Sequence, residues 1–103
     1  MIMQNVSSGV QLQNLTFEKA ITINDSVTLT VDTEAVVEFQ TPVHLNIMNK
    51  GAGVVHVSFD EKPADATTFE LEQGHSISGV KCNKLRLYSS ASTPTVQYIG
   101  GEL

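Results

Sequence analysis

Apolar residues recur at every second position through most of this chain. Ile21-Thr22-Ile23, Val27-Thr28-Leu29-Thr30-Val31, Val43-His44-Leu45-Asn46-Ile47 and Phe69-Glu70-Leu71 all show the pattern. Successive side chains on a strand point to opposite faces of a sheet, so a period of two specifies half-buried strands. A helix would need its apolar residues three and four apart, and that spacing is almost missing. The alternating residues are largely Val, Ile, Leu and Thr, and the β-branched types among them suit a pleated surface.

Turn chemistry divides the pattern into short strands. "VQLQNLTF" (10–17) turns Val10 and Leu12, then Leu15 and Phe17, inward, with a change of face at Asn14 that reads as a bulge. "AITIND" and "SVTLTVD" read as two strands joined by a hairpin at Asn24-Asp25-Ser26, whose short polar side chains bond the local backbone. Residues 35–40 form the next strand, which Pro42 limits because proline cannot donate to a ladder. "VHLNIMN" restarts the alternation, Gly51 and Gly53 supply a turn, and Val55, Val57 and Phe59 share one face of the following strand. "DEKPADA" is an exposed loop, and "TTFELEQG", "HSISGV", "KLRLYSS" and "PTVQYIGG" complete the series.

About nine short strands with turns roughly every 8–12 residues predict an all-β fold. The expected architecture is one antiparallel β-sandwich over residues 10–103, jelly-roll-like, with residues 1–10 as an N-terminal arm. An immunoglobulin-like sandwich is the alternative, but the Cys, Trp, Cys spacing of true immunoglobulin domains is absent from a chain with one Cys and no Trp.

Length and charge narrow the function. At 103 residues the chain holds one core. Eleven acids against six bases give a net charge of −5, which disfavours a phosphate backbone as partner. No segment approaches the roughly 20 apolar residues of a membrane span, and "MIMQNVSSGVQLQ" has no basic n-region, so synthesis in a cytoplasm is expected. Cys82 stands alone and forms no internal disulfide, which leaves core packing, a ligand or oligomerisation to provide stability.

Several residues are of types that carry chemistry in other proteins. His44, His56 and His75 are of metal-ligating type, but no two lie at i, i+2 on a strand, the spacing a pair of strand ligands needs. Glu70 and Glu72 share a strand face and have the form of a carboxylate pair, although a solvated face explains them as well. Asp60, Glu61 and Asp65 offer oxygen ligands at a spacing that matches no cation loop, with Lys62 among them. Cys82 has Lys81 and Lys84 nearby, and cations lower a thiol pKa, but no base is evident beside it. These readings predict no enzyme, no cofactor and no metal.

The second half of the chain, "NKGAGVVHVSF", "ADATTFELEQGHSISGV" and "KLRLYSSASTPTVQYIGG", resembles the small β domains of bacteriophage virion proteins. Val57, Phe59, Leu71, Gly74, Ile77, Leu85, Leu87, Val96, Tyr98, Ile99 and Gly100 carry the likeness. The resemblance implies a capsid decoration or cement protein of the virion, made in the host cytoplasm, that binds the major capsid protein as a homo-oligomer, expected to be a trimer. Met1, Ile2, Met3 and Val6 of the apolar start are the expected capsid or subunit contacts. The alternative is a carbohydrate- or receptor-binding module of a tail or baseplate appendage. For that role Tyr88 and Tyr98, the only tyrosines, make a thin stacking platform.

Overall fold

A computed structural model describes residues 20–103. The predicted strand at 10–17 and the predicted contact residues Met1, Ile2, Met3 and Val6 lie outside them. Six strands follow in order: β1 (Ile23–Thr28), β2 (Ala35–Gly51), β3 (Val55–Phe59), β4 (Phe69–Leu71), β5 (Ser76–Tyr88) and β6 (Thr95–Glu102). All neighbours pair antiparallel, in the order β1-β6-β2-β5-β3-β4. No helix occurs among the described residues.

One hydrogen-bonded sheet becomes a sandwich because its two longest strands bend. In β2, residues 35–38 pair with 84–87 of β5, and pairing resumes at Val43 with Cys82. Four residues of β2, 39–42, thus face Asn83 alone. This excess turns the β2–β5 ribbon a corner. The later leg of β2 and the whole of β6, with β1 and the first leg of β5, form one layer, ordered β1-β6-β2-β5. The first leg of β2, the second leg of β5, β3 and β4 form the other, ordered β2-β5-β3-β4.

Counting the bent strands as two legs each makes eight segments, and their partnerships are first with eighth, second with seventh, third with sixth and fourth with fifth. That nesting is compatible with a jelly-roll-like winding. The link 52–54 joins β2 to β3 across the layers in three residues, short enough to hold the layers near the roughly 10 Å of packed sheets.

Both layers supply the core. Val43, Leu45, Ile47, Val96 and Tyr98 from one meet Val55, Val57, Leu71, Leu85 and Leu87 from the other, and Leu29 joins them from the β1–β2 link. Phe39 at the bend meets Tyr98 edge to face, with ring centroids 6.3 Å apart. β6 approaches β2 so closely that a Cβ on Gly100 would collide with the backbone carbonyl of His44. Glycine is required there.

Three local expectations are corrected. Asn24-Asp25-Ser26 is no hairpin: β1 runs through it, paired to β6 at every residue from Ile23 to Thr28, because the ladder satisfies more backbone groups than a local turn would. Pro42 does not end its strand but lies in the unpaired stretch at the bend, where no ladder N–H is needed. Val31, expected to point inward after Leu29, is exposed, since the chain leaves β1 at Thr28 and turns through Asp32, at φ 59°, to change layers.

Candidate functional site

The histidines are dispersed by the fold. His44 lies half-buried on the outer side of β2, His75 is exposed in the turn before β5, and His56 is buried on β3. The Nδ1–H of His56 donates to the Thr68 carbonyl at 3.0 Å, and its ring lies beside that of Tyr88. Among the described residues no group of three or more His, Cys, Asp or Glu is placed to hold a metal ion. Glu70 is on β4 opposite His56, whereas Glu72 is in the turn that follows, where its carbonyl accepts the His75 N–H. The fold does not keep the two glutamates on one strand.

The acidic loop is occupied with structure. Asp60 accepts the backbone N–H groups of Asn83 and Lys84 at 2.7 and 3.2 Å, holding β5 at its bend. Glu61 pairs with Lys84 at 3.1 Å, a charge-assisted bond that, ahead of the neighbouring Glu38, raises the Lys84 amine pKa above its ordinary value. Asp65 accepts from the hydroxyl and the N–H of Thr67, bonds that lower its pKa.

Cys82 is a buried residue of the core, not a thiol activated by its neighbouring lysines. It faces the core at 4% exposure, and burial, with a smaller contribution from the Asp60 charge, pushes its thiol up to about 11. Lys81 points the other way because neighbours on a strand alternate, and the Lys84 amine is held by carboxylates.

The two outer faces differ in chemistry. That of the second layer is a charged lattice. Arg86 pairs with both oxygens of Glu34 at 3.2 Å and donates from Nε to the Asp60 carbonyl. Glu34 in turn accepts the Ala64 N–H at 2.7 Å, which draws the 60–68 loop toward this face. Tyr88 donates to Asp32, a bond to a carboxylate that raises the phenol pKa.

The outer face of the first layer carries a shallow groove of about 310 Å³ that sequence reasoning missed. Its polar lining is Asn24, Asn46, Ser76, Ser78 and Gln97, with Met48 and Ile99 as apolar floor. The core residue Tyr98 reaches it from beneath, its phenol pKa raised by burial and then by the Asp25 charge. None of the lining side chains is charged at neutral pH. Asn46 is fixed by accepting the Gly79 N–H at 3.0 Å, at a bulge where Ser78 and Gly79 of β5 stand opposite Asn46 alone. The lining comes from four strands, so the only sequence trace was that each residue lies at an outward position of its own alternation.

Comparison with known protein families, curated proteins and solved structures returns no match for this chain.

Proposed function

We propose that the chain is a non-catalytic structural component of a bacteriophage virion, a capsid decoration or cement protein that binds the major capsid protein on the head surface as a homotrimer. The observation that carries this is the jelly-roll-like winding, an architecture that recurs in viral capsid domains. It is supported by the use of ionisable side chains on the second layer, where Glu34, Asp60, Glu61, Lys84 and Arg86 bond one another or the backbone instead of converging on a cleft. Exposed apolar side chains, among them Val36 and Phe69, the latter 62% exposed on edge strand β4, offer contact area to a partner.

Co-sedimentation with purified capsids, with analytical ultracentrifugation of the free protein, tests the proposal. A trimer that saturates capsids is expected. Deleting residues 2–9, which include Ile2, Met3 and Val6, should weaken capsid binding or trimer formation while leaving the thermal transition nearly unchanged. A monodisperse monomer that fails to sediment with capsids would refute the assignment.

A further inference from the structure

Two rows of outward side chains cross the first layer at right angles to its strands. Asn24 of β1, Ile99 of β6 and Asn46 of β2 stand in register as direct neighbours, and Ser78 at the β5 bulge lines the same groove. One step along, Ser26, Gln97, Met48 and Ser76 stand in register across β1, β6, β2 and β5. All are exposed. Each row therefore alternates polar groups with one apolar side chain, Ile99 in the first and Met48 in the second.

From this arrangement we propose that the groove binds a neutral saccharide laid across the strands. A carboxamide carries a donor and an acceptor side by side, the pair that adjacent hydroxyls of a sugar require, whereas charged groups would select ionic ligands. Three carboxamides line the groove, and those of Asn24 and Gln97 have no hydrogen-bond partner among the described residues. Asn46 is already oriented by Gly79, which leaves its Nδ2 as a pre-aimed donor. Ile99 and Met48 give the C–H face of a pyranose an apolar seat between the amides. Strands about 4.8 Å apart make a four-strand row about 14 Å long, which suits a short oligosaccharide better than one ring. The charged lattice lies on the opposite side of the sandwich, away from this surface, and His44 and Lys81, paired across β2 and β5, are not among the residues that line the groove. The site stands on its lining alone and does not depend on a virion location.

Side-chain amide resonances of Asn24, Asn46 and Gln97, followed by NMR while cellotriose, maltotriose and tri-N-acetylchitotriose are added to the full chain, test this. At least one of these neutral sugars should shift all three amides in a saturable way. Asn24→Ala combined with Gln97→Ala, at exposed positions where folding is not at risk, should lower that affinity at least tenfold with an unchanged backbone spectrum. Equal binding by the double variant, binding of sialylated or sulfated glycans only, no response to any of the three sugars, or shifts of these amides with protein concentration alone would each overturn the proposal. The last would mark the groove as a contact between copies.

Discussion

The side-chain amide of Asn49 donates from Nδ2 to the Leu71 carbonyl at 2.8 Å, tying the end of β2 in one layer to the edge strand of the other. The same Nδ2 donates to Gly53 at 2.8 Å, and Oδ1 accepts the Gly51 N–H at 2.8 Å, so one fully buried side chain satisfies three backbone groups around the β2–β3 turn. Asn49→Ala should destabilise the fold by about 2–4 kcal/mol, because these buried groups lose their partner without access to water. Asn49→Asp should be at least as damaging, since an ionised carboxylate cannot donate to two carbonyls. Urea unfolding with an unchanged m-value but a lowered midpoint would record both effects.

Gly100 and Gly79 separate two reasons for a glycine. Gly100→Ala puts a methyl into the backbone of β2 and should cost about 1–3 kcal/mol by forcing β6 outward. Gly79→Ala meets open space and pays only for its φ of 71°, about 1–2 kcal/mol. Because a Cβ on Gly100 would sit inside the backbone of β2, thermal denaturation should rank the first variant below the second, and Gly100→Ala should perturb the amide shifts of His44 and Leu45.

Cys82 should resist thiol reagents in the native protein. Its folded pKa of about 11 against an ordinary 9.0 leaves about 100-fold less thiolate at pH 8, before exclusion of the reagent by the core is counted. The sign for stability follows. Below pH 9 both states keep the proton and nothing is lost, whereas between pH 9 and 11 the unfolded thiol ionises first and stability falls. The raised phenols of Tyr88 and Tyr98 act in the same direction at higher pH. Cys82→Ala should flatten the first part of that decline in unfolding measured from pH 8 to 11.

Glu34→Ala should free the 60–68 loop before it unfolds the domain. It removes the acceptor of the Ala64 N–H and leaves Arg86, 14% exposed, with only the Asp60 carbonyl. Exchange of the Ala64 amide should quicken on the order of tenfold or more, with little change at the core amides of Leu45 and Leu85. Uniform acceleration across the core would mean that the clip supports the whole fold.

The alternation of apolar residues determined by itself that this chain folds as antiparallel strands, and it marked most of the core, since Leu45, Ile47, Val55, Val57, Leu71, Leu85 and Leu87 are buried where period two placed them. It also marked the corners. The breaks at Pro42 and between "HSISGV" and "KLRLYSS" are where β2 and β5 bend from one layer to the other, although the backbone pairing continues past them. Local chemistry reports where a strand is strained, not whether its ladder resumes. Only the tertiary structure decided which outward residues share a face. Asn24, Asn46, Ser76 and Gln97 are scattered over 74 positions, from 24 to 97, and meet because β6 pairs between β1 and β2. It also decided the fate of the ionisable groups. Lys81 and Lys84 lie close to Cys82 in sequence, but the strand turns Lys81 to the opposite face and Glu61 and Glu38 hold the Lys84 amine, so burial and not those cations sets the thiol.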